Sequence, residues 1–191
     1  MNKKIKREII EWTALIIIIG GLYVTGWHTE VLGTLQRGVL ATGLIRPDLE
    51  DDPVNQMNYD FQLRKLDDSS VDVSDFRGEV LFINLWATWC PPCIAEMPDI
   101  HDLYLKKGDQ VKFMMISLDE DPLKAQAFIN RKSFTFPVFS ASYGLPKVLH
   151  SNSIPTSYVV DKSGKIRVVR RGLAKYDTDE FNDFLEKLLS E

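Results

Sequence analysis

The only two cysteines of this chain, Cys90 and Cys93, are separated by two prolines in Trp89-Cys90-Pro91-Pro92-Cys93. They follow the apolar run Val80-Leu81-Phe82-Ile83-Asn84-Leu85-Trp86. A lone C-x-x-C at the end of a buried strand, with a helical pattern after it, reads as a dithiol redox centre. A helix starting at Cys90 would set its sulfur beside unpaired N–H groups and the positive end of the helix dipole. That environment favours the thiolate, the nucleophile of disulfide exchange. Cys93, one turn on, is placed to attack a mixed disulfide and release the partner. A purely structural bridge is a poor use of the pair, because closing so short a loop removes little chain entropy. A structural zinc site needs four ligands, and His28, His101 and His150 are scattered. No metal or other cofactor is expected, although an open copper site would use the same two sulfurs.

The elements that must position this pair follow from the flanking pattern. Val80–Trp86 reads as a buried strand, and a helix runs from about Cys90 to Lys107. Pro91 and Pro92 suit its first turn, where N–H groups lack partners anyway. Upstream, residues 61–66 alternate as a strand and 67–70 form a turn. Downstream come a strand at 111–118, a helix opened by Asp121-Pro122 and running to about Lys132, a short edge strand at 136–139, and a short helix at 145–150. Ser157–Val160 and Ile166–Arg170 flank Asp161-Lys162-Ser163-Gly164-Lys165 in a hairpin pattern. Asp177 and Glu180 suggest a capping box for a closing helix with Phe181, Phe184, Leu185 and Leu188 on one face. This order implies an α/β sandwich with a mixed sheet.

The N-terminus bears on location. Lys3, Lys4, Lys6 and Arg7 precede a largely apolar stretch from Ile9 to Trp27, with Trp12, Tyr23 and Trp27 near its ends. This fits a basic cytoplasmic tail at 1–8 and a membrane anchor at 9–27. A cleaved signal peptide is the rival reading, but Val24-Thr25-Gly26-Trp27-His28 offers no convincing small-x-small site. A buried core helix is the other. Residues 28–58 read as a membrane-proximal connector, with a short amphipathic helix weakened by Gly33, Gly38 and Gly43 and a turn-rich linker from Pro47 to Pro53. Residues 59–191 form the globular domain. The net charge of −4 and the lack of a basic stripe argue against nucleic-acid binding.

From about Tyr59 onward the chain resembles the thioredoxin superfamily, which combines this element order with W-C-x-x-C at a strand–helix junction. Asn84 through Cys93 with Glu96-Met97-Pro98 is most similar to its membrane-anchored TlpA/ResA-like oxidoreductases. The resemblance implies a thioredoxin-like three-layer sandwich with a mixed central sheet, preceded by a transmembrane helix. It implies a cis-proline at Pro155, with Ile154 and Thr156 pairing a substrate peptide and Trp89, Pro91 and Pro92 at the rim. Thioredoxins carry a proton-accepting aspartate where this chain has Asn84. The resemblance implies that Glu96 replaces it, and i, i+3 spacing from Cys93 agrees.

The implied activity is reduction of protein disulfides, apocytochrome c among them, outside a bacterial cytoplasmic membrane. The implied electron donor is a membrane protein of the DsbD or CcdA type. The same dithiol run backwards would be an oxidase, and a non-catalytic copper carrier would bind metal without exchanging disulfides. A peroxiredoxin-like peroxidase would need a P-x-x-x-T-x-x-C context that Thr88 does not supply. His101 reads as a surface residue.

Overall fold

A computed structural model describes residues 3–25, 27–49, 56–141 and 144–191. Most of the acidic part of the expected linker, 50–53, falls outside them. Seven strands form one sheet in the order β2-β1-β5-β4-β3-β6-β7: β1 (Gln62–Lys65), β2 (Ser70–Asp72), β3 (Val80–Trp86), β4 (Val111–Ser117), β5 (Val138–Ser140), β6 (Thr156–Val160) and β7 (Ile166–Arg171). The central strand β3 runs parallel to β4 and antiparallel to β6. Every residue of β3 is buried, because both of its faces are covered, as is usual for strands with helical crossovers.

Side-chain alternation along β3 separates two cores. Val80, Phe82 and Trp86 join the core that holds α3 (Pro91–Lys107), α4 (Pro122–Lys132) and α5 (Asp179–Ser190). Leu81, Ile83 and Leu85 join the other, with Met57, Tyr59, Val73 and Leu149. That second face is covered by the 56–61 segment and the 3-10 turns Val73–Phe76 and Lys147–Leu149. The expected three-layer sandwich is therefore lopsided: β3–α3–β4 and β4–α4–β5 progress in one direction, so both crossover helices fall on the same face.

Two local expectations are corrected. Residues 138–140 are not an edge strand, because β1 pairs with β5 through Arg64↔Ser140 and Lys65↔Phe139. The real edge on that side is β2, the second strand of the hairpin at 67–70. The cap of α5 is Thr178, whose side chain accepts from the Phe181 N–H; the Asp177 carboxylate is taken instead by Lys106.

Two further helices precede the sheet: α1 (Lys3–Val24) and α2 (Trp27–Ala41). Among the described residues no single helix is long and apolar enough to cross a membrane; α1 and α2 meet that test only as a pair, bent by 93°. Many apolar side chains of α1, including Ile10, Trp12, Ile16 and Ile17, are exposed. The second helix packs on the outer side of α3. Gly33, which costs helix propensity, is what lets the two approach: a Cβ there would lie 3.1 Å from the Pro91 carbonyl oxygen and 3.2 Å from Ile94 Cγ2.

Phe82 sits where the sheet meets α5, its ring packed on Phe113, Tyr176 and Phe181. Phe82→Ala should destabilise the protein by about 3–5 kcal/mol, read from urea unfolding; a loss under about 1 kcal/mol would mean the sheet–helix core is placed wrongly.

Candidate active site

The carboxyl ends of β3 and β4 and the start of β6 converge on the N-terminus of α3. Antiparallel register sets Leu85 opposite Thr156, so the residues just before β6 lie beside the loop that leaves β3. Cys90 occupies the N-cap of α3 and is joined to Cys93 by a disulfide. Its Sγ accepts the Cys93 N–H at 3.3 Å, and its carbonyl accepts the Ile94 N–H at 3.1 Å. Cys90 is 4% exposed and Cys93 0%. In the disulfide form both cysteines are therefore buried residues, Cys90 keeping the little exposure that remains.

Glu96 is wholly buried, one turn beyond Cys93 on the same helix. Asn84 Nδ2 donates to its Oε1 at 2.9 Å and also to Ser157 Oγ at 2.9 Å, while the Ala174 N–H donates to its Oε2 at 3.1 Å. Burial nevertheless wins over these hydrogen bonds and pushes the Glu96 carboxyl up to about 8. Exclusion of water destabilises a carboxylate more than two neutral donors stabilise it. Asp99, one turn further on, is also raised by burial. The buried Tyr176 phenol is held well above its usual range by the same desolvation and by the charge of Glu96.

The other expected residues assemble around this centre. Trp89 is 61% exposed at the rim, and Pro91 and Pro92 are half-buried in the first turn. The Ile154–Pro155 bond is cis, and Ile154 packs against the core that contains both cysteines. The Pro155 carbonyl accepts the Gly172 N–H at 2.8 Å, and the Thr156 hydroxyl donates to the Ser153 carbonyl at 2.7 Å. Thr156 is fully buried, so its side chain belongs to the loop rather than to an incoming peptide. His101 is not a plain surface residue: it is half-buried against Phe134 and Phe136 and hydrogen-bonded to Thr135. Among the described residues no group of His, Cys, Asp and Glu is arranged to hold a metal ion.

Four residues that matter here were given no role at the site by the sequence. Asp119 accepts from the Thr88 N–H at 3.0 Å and the Thr88 hydroxyl at 2.6 Å, and Ser117 also donates to it. It thereby fixes the loop carrying Trp89. An acid just beyond the carboxyl end of an apolar parallel strand was the available signal. Ser157, Ala174 and Gly33 make their contacts across long stretches of sequence, and nothing local marks them.

Comparison with known proteins gives one family. The Redoxin family matches residues 52–187. The chain is 38% identical over 124 residues to a thiol-disulfide oxidoreductase ResA of Oceanobacillus iheyensis, covering 62% of this chain and 65% of the relative. With the ResA of Geobacillus kaustophilus it shares 28% identity over 175 residues, 89% of this chain and 90% of that one. The crystal structure of StoA from Bacillus subtilis superposes with a TM-score of 0.54 at 25% identity, covering 69% of this chain and 96% of that chain.

Because the folded-state pKa of Glu96 lies near 8, against about 4.3 for an unperturbed glutamate, the folded protein binds the extra proton between those values. Stability of the oxidised protein should therefore fall as pH rises from about 5 to 8 and level off above that. Glu96→Gln should flatten this slope and be the more stable form at pH 8, measured by urea unfolding of the disulfide form. An unchanged slope in the variant would place the raised titration elsewhere.

Proposed function

The chain belongs to the Redoxin family as a TlpA/ResA-like member of the thioredoxin superfamily and is a thiol–disulfide oxidoreductase, and we propose that it works as a membrane-tethered reductase. In this reading the exchange runs through Cys90 and Cys93. The Cys90 thiolate attacks one sulfur of a substrate disulfide, forming a mixed disulfide and releasing one substrate thiolate. Cys93 passes its proton to the Glu96 carboxylate and attacks Cys90 Sγ. The second substrate sulfur leaves, the Cys90–Cys93 disulfide forms, and two electrons have passed to the substrate. A carboxyl titrating near pH 8 suits this work, since it both takes and returns a proton near neutrality.

The direction rests on one observation, the supply of N–H groups to Cys90. Pro91 and Pro92 fill the first two positions of α3 and carry no N–H. The amide reaching Cys90 Sγ is that of Cys93. A helix start poor in donors stabilises the thiolate weakly, and a reduced form that is weakly stabilised makes the dithiol a reductant. The substrate side is the flank formed by Trp89, Pro91, Pro92 and the Ile154–Thr156 turn. In this reading the apolar segment 9–27, behind the basic tail at 1–8, is the membrane anchor, and the domain lies outside the cytoplasmic membrane of a bacterium. The substrate class is protein disulfides, apocytochrome c the first candidate by family resemblance, and a membrane protein of the DsbD or CcdA type would restore the dithiol.

The reduction potential of the Cys90–Cys93 couple, measured by equilibration with glutathione or dithiothreitol, should lie nearer the thioredoxin value of about −270 mV than the DsbA value of about −120 mV. A potential near the latter makes the protein an oxidase. In the same assay series Cys93→Ser should accumulate a mixed disulfide with reducible insulin, visible on a non-reducing gel, while Cys90→Ser should form none. Trapping by Cys90→Ser instead would reverse the two roles.

A further inference from the structure

Glu96 is not the only carboxyl that α3 sends into the loop after β7. Asp99 follows one turn on, on the same side of the helix, and the mechanism of substrate reduction gives it no part. Its Oδ2 accepts the Tyr176 N–H at 2.5 Å and the Asp177 N–H at 3.0 Å. Glu96 Oε2 accepts the Ala174 N–H from the same loop at 3.1 Å. Two carboxyls on one side of α3 thus clasp the backbone of a single loop.

The other ties of this loop do different work. The Tyr176 ring is anchored in the core on Phe82 and Phe181, which places the loop as a whole. Arg170 donates to the Leu173 carbonyl at 3.1 Å, and the Lys175 N–H donates to the Ile45 carbonyl at 2.9 Å. Lys106 of α3 pairs with the Asp177 carboxylate, but the lysine is exposed, and such pairs contribute little. The Asp99 carboxylate orients the backbone between these points, so that the Ala174 amide faces Glu96.

The two carboxyls differ in their access to water. Glu96 is wholly buried. Asp99 is half-buried and lines a cleft of about 200 Å³ between α2 and α3, beside Ala95, Pro98, Asp102, Arg37 and Lys175. Burial is the main cause that raises Glu96; the Asp99 charge adds to it, and Arg170 on β7 acts the other way. Tyr176, kept neutral by its own burial, also faces Glu96, and Cys93 joins it once the disulfide is open. Asp99 is raised by burial too, with its two amide bonds and Lys175 opposing that and Asp177 adding to it. Of two neighbouring carboxyls, the one without water keeps the proton and the one beside water keeps the charge.

We propose that Asp99 is a positioning residue for Glu96: its carboxylate turns the Ala174 N–H toward Glu96, and its negative charge strengthens the hold of Glu96 on the proton that Cys93 gives up. The proposal rests on the reading of Glu96 as acceptor of that proton. Asp99 makes Glu96 a stronger base than burial alone would, and leaves the charge on the side where water solvates it. It touches neither sulfur nor substrate, so its contribution shows in pH dependence rather than in binding.

The test uses the full chain in detergent micelles with carbon-13 in its glutamate carboxyls; the Glu96 signal is the one absent from Glu96→Gln. Asp99→Asn removes the charge, while an amide oxygen in place of Oδ2 keeps both N–H bonds. In the oxidised variant the Glu96 midpoint should fall by about one pH unit, the size expected of a like charge a helical turn away. The Ala174 amide should keep its protection from hydrogen exchange in Asp99→Asn and lose about tenfold in Asp99→Ala, as for one hydrogen bond weakened. In single-turnover reduction of insulin by the reduced protein, the acid limb of the pH profile should move with the Asp99→Asn midpoint, at an unchanged half-saturating insulin concentration. An unmoved Glu96 midpoint in Asp99→Asn, or full Ala174 protection in Asp99→Ala, would overturn the proposal. Loss of protection in β3 in Asp99→Asn would overturn it as well, by making Asp99 a support of the whole fold. A wild-type pH profile in Glu96→Gln would overturn the reading of Glu96 beneath it, a failure that the carboxyl midpoints do not share.

Discussion

A carboxyl group with no access to water, one helical turn from a disulfide, is the constraint on which the rest of this structure depends. Burying Glu96 is unfavourable, and the fold answers with donors drawn from two separate places: Asn84 on the central strand and the Ala174 amide in the loop after β7. Both donors are neutral, so they hold the side chain in place without restoring the preference for charge. An arginine or lysine in direct contact would have stabilised the carboxylate and drawn its titration far below neutrality. The arrangement keeps the group in position while leaving the proton exchangeable near pH 8. It also makes Glu96 a local cost to stability above the pH at which the unfolded chain would lose that proton.

The same economy of donors governs the helix start. An ordinary first turn offers several unpaired N–H groups to whatever occupies the N-cap. Here two are removed by Pro91 and Pro92, and the third is the Cys93 amide. Cys90 therefore draws less from the helix terminus than its position alone suggests. The prolines also stiffen the turn, and the Pro91 carbonyl and Ile94 side chain lie against Gly33 of α2. Weak electrostatic stabilisation and firm mechanical support come from the same residues.

The parts of this design that local sequence encodes were legible in advance. The apolar run 80–86, the C-x-x-C at its end, the Asp121-Pro122 helix start and the Gly164 turn all act within a few residues of themselves. The i, i+3 spacing of Cys93 and Glu96 needed only helix geometry, and the Pro155 turn came through family resemblance. What stayed hidden depends on register. Asn84 reaches Glu96 because alternation along β3 points it at α3, and Ser157 and Ala174 arrive there only when β6 and the loop after β7 are in place. β5 read as an edge because its pairing partner, β1, lies more than 70 residues earlier in the chain. Gly33 shows the limit of propensity most clearly: the feature that weakens a helix in isolation is the one that allows it to dock.

That docking changes how the N-terminal region bears on chemistry. A connector that only tethers would leave the domain free to turn, and the dithiol would meet partners from any side. A helix tied to α3 at Gly33 and to α4 through Glu30 moves with the domain.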